Sequence, residues 1–303
     1  MAAVETRGLT KEFGEVTAVE DLTLSIEREE IFGLLGPNGA GKSTTLNLIL
    51  GFLEPTEGTA SVFGLDPWTD PQAVRKQLGI VPEGYGLYDR LTAREHIEFA
   101  AGIKGVDANP SDVLERVGLT SATERKVAGY SRGMRQRLAL GISLVGSPNL
   151  LVLDEPSTGF DPHGVRELRE IVRKERNRGA TVVFSSHNLS EVETLCDRIG
   201  IINCGSLINL DTIEGLHERT SDTLLIEADP VPDGSKLERI ENVTGVSDTE
   251  STLRIRYRGR DAKRRVLTEL TKRDVVISDF TTKRASLEDL FVEATTTQYE
   301  MKG

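Results

Sequence analysis

Gly36-Pro37-Asn38-Gly39-Ala40-Gly41-Lys42-Ser43 fits the pattern G-x-x-x-x-G-K-[ST] and sits between two segments of different periodicity. Before it, Ile31, Phe32, Leu34 and Leu35 belong to a short apolar run of buried-strand type. After it, from Thr44 to residue 50, apolar residues recur at helical spacing. The order strand, glycine loop, helix predicts an α/β fold built around a phosphate cradle. Glycines let the backbone wrap closely, successive N–H groups point inward, and the helix presents its positive dipole end to a polyanion. The pattern places Lys42 at the β- and γ-phosphates of a nucleotide and Ser43 at Mg²⁺. The competing reading, a glycine-rich turn ahead of a core helix, leaves the flanking strand and helix unexplained.

A chain of 303 residues has room for about two domains. Its composition, 38% hydrophobic and 28% charged, is that of an ordinary globular protein, and no apolar stretch approaches the roughly 20 residues that span a bilayer. Residues 1–5 lack a basic segment leading into an apolar one, so no secretory leader is expected and the chain reads as cytoplasmic. Cys196 and Cys204 stand without metal-ligand spacing and are expected to be reduced, half-buried small residues. The net charge of −11 argues against a general nucleic-acid binder, which would need a basic surface.

Residues 4–9 and 22–27 alternate apolar and polar, as antiparallel strands with one wet face do, and Phe13 lies in a turn between them. Beyond the loop's helix come a turn at 54–58, a strand at 59–63, a helix at 72–77, and a strand from 78 that ends at Pro82, just before Glu83. Residues 92–101 and 111–117 read as helices, with Ser111 as cap after Pro110 and Gly118 as stop, making a helical insertion over about 84–148. Ser131 and Gly133 open an amphipathic segment and offer a second potential anion site at a helix N-terminus. Residues 150–153 are apolar and run into Asp154 and Glu155; residues 181–184 run likewise into Ser185, Ser186 and His187. Ligands of doubly wound sheets gather at the carboxyl ends of parallel strands, so Asp154, Glu155 and His187 are expected to converge on the loop.

In order, the chain carries GPNGAGKST, VPEG, YSRGMRQRL, LLVLDEP, STGFDP and SSH, a series that resembles the nucleotide-binding subunits of ABC transporters over residues 1 to about 215. The resemblance implies a P-loop ATPase fold with an antiparallel β subdomain and a helical subdomain, using ATP and Mg²⁺. It implies that Gly36, Pro37, Asn38, Gly39, Ala40, Gly41, Lys42, Ser43 and Thr44 hold the phosphates and that Phe13 stacks on adenine. Asp154 matches the acidic residue that completes Mg²⁺ binding with Ser43 and Glu83. Glu155 matches the general base that orients and deprotonates the attacking water, His187 the residue that contacts the γ-phosphate, and Lys42 completes this catalytic set. Asp161 resembles the nucleotide-side loop that communicates between paired subunits.

Two positions depart from the family pattern. Glu83 stands where most members have Gln, so it offers an oxygen to Mg²⁺ or water, donates no hydrogen bond and adds a negative charge. The signature, usually L-S-G-G-Q, keeps Ser131 and Gly133 but has Tyr130, Arg132 and Met134 in the other places. Arg132 reads equally as a cation near the site and as a solvated surface residue. In the family this signature serves the nucleotide held by a partner subunit, head to tail. With one cradle and one signature, the chain is expected to form an ATP-sandwiched dimer with a second copy or a close relative.

Beyond about residue 215 the pattern changes. Strands at 223–228, 245–249, 252–258 and 275–281 and helices at 235–242 and 261–272 give the order βαββαβ of a small ferredoxin-like α+β domain over 216–303. Arg254, Arg256 and Arg258 alternate with Leu253, Ile255 and Tyr257 and, with Lys263, Arg264 and Arg265, read as a solvated face. A last helix capped by Ser286 is expected at 286–291. Such a tail, together with VPE and YSRGMRQRL, resembles the subgroup that energises ABC-2-type export permeases. The resemblance implies a separate integral membrane permease as partner, no nucleic acid, and a place on the inner face of the cell membrane. Tyr85, Leu87, Tyr88 and Leu91 are apolar, suited either to receiving that permease or to filling the core of the helical insertion. The alternative is a soluble ATPase of the same fold acting on a ribosome or nucleic-acid complex, which would require two cassettes in one chain or a long coiled-coil insertion. A GTPase would require an N-K-x-D motif, and the sequence has none of these features.

Overall fold

In the computed structural model, which describes residues 1–219, 221–228, 231, 234–249, 252–272 and 277–283, the alternating segments ahead of the loop are longer strands than their periodicity suggests. β1 (Ala2–Phe13) and β2 (Val16–Glu27) pair antiparallel around a turn at Gly14 and Glu15, so Phe13 ends a strand. Then come β3 (Ile31–Leu35), α1 (Lys42–Ile49) and β4 (Glu57–Val62), which joins β1 to complete a three-stranded antiparallel sheet in the order β2-β1-β4.

The rest of the first compact unit, Met1–Leu210, begins with α2 (Pro71–Gln77) and β5 (Leu78–Val81). Three helices follow, α3 (Ala93–Lys104), α4 (Pro110–Arg116) and α5 (Arg132–Ser143). Next are β6 (Leu150–Asp154), α6 (Pro162–Asn177), β7 (Thr181–Ser186), α7 (Leu189–Leu195), β8 (Arg198–Asn203) and β9 (Ser206–Thr212). The large sheet runs β5-β6-β7-β3-β8-β9, and its pairs from β5 through β8 are parallel. Parallel strands are covered on both faces, which is why β3 and β7 are buried along their whole length and read as continuous apolar runs. β3 lies beside β7, and β7 beside β6, so the loop after β3 opens next to the ends that carry Asp154 and His187. Phe32, Leu34, Leu46, Ile49, Val152 and Val183 share one core cluster with Val4, Leu9, Leu22 and Leu24 of the antiparallel sheet. Burying each such large side chain contributes about 1.5–3 kcal/mol, enough to fix the loop's two flanking elements against both sheets.

In the helical insertion Thr92 forms a capping box with Glu95 at the start of α3. The cap of α4 is Asn109 and not Ser111: Asn109 Oδ1 accepts the Ser111 N–H at 3.1 Å. Pro110 fills the first helical position, where a missing N–H costs nothing, and pushes the cap one residue upstream of it. Arg116 of α4 is bound to the buried carboxylate of Glu175 on α6, with Nε 3.1 Å from Oε1, which ties the insertion to the sheet's covering helix. Cys196 is buried and Cys204 exposed, so neither is half-buried.

The second unit, Asp211–Gly303, contains α8 (Ile213–Arg219), β10 (Asp222–Ala228), β11 (Val243–Asp248), β12 (Thr252–Tyr257), α9 (Gly259–Thr271) and β13 (Ile277–Lys283). Its sheet order is β11-β12-β10-β13, antiparallel throughout, the arrangement of the ferredoxin-like fold. The first helical crossing is a 3-10 stretch, Gly234–Arg239, instead of an α-helix. Leu253, Ile255 and Tyr257 are buried while Arg254 and Arg256 point outward. The helix expected at 286–291 lies outside the described residues. Among the described residues no helix is long and apolar enough to cross a membrane.

Candidate functional site

Gly41 ends the loop and caps α1 at φ 104°, and a Cβ on it would lie 2.5 Å from the carbonyl oxygen of Ala18. Only glycine takes that conformation and that approach together. Lys42 is the first residue of α1, and its Nζ donates to the carbonyls of Gly36 at 2.7 Å and Pro37 at 3.3 Å. The same ammonium lies 3.4 Å from Glu155 Oε1, both side chains being only 7% exposed. At that burial the pair is only weakly screened by salt.

Glu155 follows β6 in the left-handed region, at φ 47°, a conformation that costs a non-glycine residue of order 1 kcal/mol and clusters at functional sites. Ser185 of β7 is in register with Asp154; its Oγ donates to Asp154 Oδ1 and accepts the Glu155 N–H at 3.0 Å. Two residues on, His187 Nδ1 is 2.9 Å from Glu155 Oε2. A carboxylate only accepts, so Nδ1 carries the proton and Nε2 is the other pole of the ring. Glu155 thus lies between Lys42 and His187; its buried Oε1 meets the Lys42 ammonium as an ion pair but accepts no hydrogen bond from the described residues.

Two cavities meet at this point. One, of about 420 Å³, is lined by Pro37, Asn38, Gly39, Gly41, Lys42, Ser43 and Thr44, and by Val16, Thr17, Ala18, Glu83, Glu155, Cys204 and Gly205. The other, of about 330 Å³, includes Tyr85, Arg132, Gln136 and Asp154 in its wall. Glu83 and Glu155 line both. The Tyr85 hydroxyl donates to Gln136 Oε1 at 2.7 Å, and Gln136 Nε2 donates to the Pro156 carbonyl at 2.7 Å, so the segment carrying Glu83 is tied to the one carrying Glu155. Burial pushes the Tyr85 phenol up to about 12, keeping it a donor across the working range.

The structure therefore brings Lys42, Ser43, Thr44, Glu83, Asp154, Glu155 and His187 together, with Gly36 and Ala40 buried behind the loop. Phe13 is half exposed beneath Lys11 Nζ, at 5.3 Å; its cross-strand partner Val16 lines the cavity, and Phe13 does not. Ser131 and Asp161 cap α5 and α6, accepting the N–H groups of Met134 at 3.3 Å and Gly164 at 2.7 Å. With Gly133 they line neither cavity. The sequence reading missed Thr17 and Ala18, at the start of β2, and Cys204 and Gly205, in the turn between β8 and β9, none of which carries a local signal. It also missed Gln136 and the orienting role of Ser185, although that serine stands directly before Ser186 and His187.

Among the described residues no group of three or more His, Cys, Asp or Glu side chains is arranged to hold a metal alone. A hydroxyl from Ser43 with carboxylates from Asp154 and Glu83 does fit Mg²⁺, which is held by one or two carboxylates, waters and the phosphates of its substrate.

Residues 19–158 match the ABC transporter family profile, and residues 213–295 match the ATP-binding protein DrrA1-3-like, C-terminal domain. The chain is similar to the bacitracin transport ATP-binding protein BcrA of Bacillus licheniformis, 39% identical over 71% of this chain and 72% of that protein. It is also similar to the daunorubicin/doxorubicin resistance ATP-binding protein DrrA of Streptomyces peucetius, 32% identical over 97% of this chain and 92% of that protein. Among solved structures, an ATP binding subunit of an ABC transporter superposes with a TM-score of 0.65 at 30% identity, covering 71% of this chain and 92% of that one.

Proposed function

The chain belongs to the family of ABC transporter ATP-binding proteins, and from that premise we propose that it closes with a second chain over ATP and Mg²⁺ to drive export through a separate ABC-2-type membrane permease. Membership of the family makes it a nucleotide-binding ATPase of a transporter. The arrangement of Glu155 between Lys42 and His187, 3.4 and 2.9 Å away, is the observation that carries the assignment of roles. Lys42 neutralises charge on the β- and γ-phosphates. Glu155 orients water and takes its proton as the water oxygen bonds to the γ-phosphorus and the bridging oxygen leaves with ADP. His187 steadies Glu155 and presents its ring to the γ-phosphate. Ser43, Asp154 and Glu83 hold Mg²⁺, which supplies charge neutralisation at the phosphate oxygens. Such chemistry is mostly positioning and charge stabilisation. Phe13, beside Val16 at the cavity's rim, takes the adenine.

Ser131, Gly133 and Asp161 lie away from the chain's own cradle, which supports their serving a nucleotide held by the paired chain. Export is supported by the likeness to BcrA, a bacitracin transport protein, and DrrA, a daunorubicin/doxorubicin resistance protein, and by the DrrA-like C-terminal domain. The permease then holds the chain on the inner face of the membrane. Glu155→Gln tests the catalytic reading: it should bind ATP as the wild type does while turnover falls by about 10² to 10⁴. Turnover near the wild-type rate would remove Glu155 from the role of base.

A further inference from the structure

Glu191, in the first turn of α7, is a buried carboxylate, 8% exposed, in a part of the molecule that the nucleotide cavity does not reach. A buried carboxylate is costly unless its oxygens are met by donors. Here the same oxygen, Oε2, accepts two hydroxyls from two separate segments: Ser157 Oγ at short range and Ser186 Oγ at 3.4 Å. Ser157 stands two residues after Glu155, and Ser186 immediately before His187. Ser186 Oγ in turn accepts the Asn188 N–H at 2.9 Å, which fixes the backbone on the far side of His187. Since His187 Nδ1 meets Glu155 Oε2, the contacts close a ring: Glu155 through the backbone to Ser157, across Glu191 to Ser186, through the backbone to His187, and back to Glu155.

We propose that Glu191 is a positioning residue for ATP hydrolysis, locking the segments that carry Glu155 and His187 into one rigid unit. The proposal rests on the roles assigned to those two residues. Glu191 touches no reacting atom; its work is to hold the separation of the two segments. Because one oxygen accepts both hydroxyls, the two segments are held to a single point, and a shift of either one relative to the other must lengthen one of the two bonds. Displacing a reacting group by about 1 Å through a change remote from the chemistry costs up to ~10² in rate. An apolar side chain of similar size would fill the same space and lose the lock, so the choice of a carboxylate is itself informative.

The test uses the full-length chain, measuring kcat and KM for ATP alongside binding of a fluorescent ATP analogue. Glu191→Ala should lower kcat by about 10- to 100-fold with KM and analogue affinity within about twofold of wild type. Glu191→Gln, which keeps an acceptor oxygen of the same reach, should recover most of the loss. If Glu191→Ala proves poorly folded, Ser157→Ala and Ser186→Ala decide instead: each leaves Glu191 in place, breaks one arm, and should lower kcat several-fold with binding intact. A kcat unchanged in these variants, or a loss of nucleotide affinity in step with kcat, overturns the proposal by reducing Glu191 to a general support of α7. Glu155→Gln assayed in parallel keeps the outcomes apart. If it turns over normally, the role of Glu155 as base is what has failed, whatever Glu191 does.

Discussion

At Gly41 the backbone has no second solution: φ is 104° and the Ala18 carbonyl lies 2.5 Å from any Cβ. Gly39, also at positive φ, 81°, has nothing within 4 Å of its Cβ position. The two glycines therefore separate conformational strain from steric conflict. Gly39→Ala carries only the strain, of order 1 kcal/mol. Gly41→Ala adds a backbone collision at the point where the loop's N–H groups turn into α1. We expect Gly41→Ala to weaken binding of a fluorescent ATP analogue by at least about tenfold, and Gly39→Ala by distinctly less, since each decade corresponds to about 1.4 kcal/mol. Equal losses in a titration of the two variants would mean that the Ala18 contact plays no part. Glu83 poses the complementary question of charge. If it helps hold Mg²⁺, Glu83→Gln removes one negative charge from the donor set, and the Mg²⁺ concentration giving half-maximal turnover should rise; an unchanged Mg²⁺ titration would take Glu83 out of that set.

The elements around the site are joined by buried charges whose sign can be tested. Glu30, just ahead of β3, accepts the Glu27 N–H at 2.7 Å and faces Arg198 of β8 at 3.1 Å. Burial pushes its carboxyl up, and the N–H and Arg198 only partly pull it back. A carboxyl raised in the folded state favours folding below the ordinary carboxylate range, and that contribution disappears as pH rises through the raised value. The stability of the wild type relative to Glu30→Gln should therefore fall from about pH 4 upward, read from urea unfolding at several pH values. A difference that grows with pH would contradict it. At the start of α4, Asn109→Ala should cost about 1 kcal/mol and Ser111→Ala close to nothing, because only Asn109 caps. That cap illustrates what the sequence could and could not reveal. Asn109 and Ser111 both flank Pro110, and composition alone does not say which side the helix begins on. β3, β6 and β7 were legible because burial on both faces leaves continuous apolar runs. β1 and β2 were legible only over 4–9 and 22–27, because register shifts between Leu9 and Lys11 and between Lys11 and Glu12 break the period of two beyond Leu9. The cradle, Asp154, Glu155 and His187 could be read from spacing, since each ends a strand or directly follows one. Gln136, on α5, is distant in sequence from the segments it ties together, and nothing in the local pattern marks it; Ser185 stands in the same run as His187, but its bond to Asp154 follows only from the pairing of β6 with β7.

For the whole molecule the arrangement of anion sites is decisive. The cradle is assembled within the first compact unit, while Ser131 caps α5 with an exposed side chain that lines neither cavity beside Glu155. On the proposed head-to-tail pairing, each chain gives its cradle to one site and its Ser131 signature to the other, so that two chains make two complete sites. Two defective chains should then repair each other. Ser131→Arg spoils the signature and keeps its own loop; Lys42→Ala spoils the loop and keeps its own signature. Each alone pairs only with its own kind and leaves every site lacking one half, so neither should hydrolyse ATP, although Ser131→Arg should still bind it. In an equimolar mixture the mixed pair contains one site with both defects and one with neither, the loop coming from the Ser131→Arg chain and the signature from the Lys42→Ala chain. ATP turnover should reappear on mixing and rise with the fraction of mixed pairs. If the mixture stays as inactive as its parts while the chains demonstrably associate, or if Ser131→Arg alone hydrolyses ATP normally, then Ser131 does not act on a nucleotide across an interface and the site must be completed within one chain.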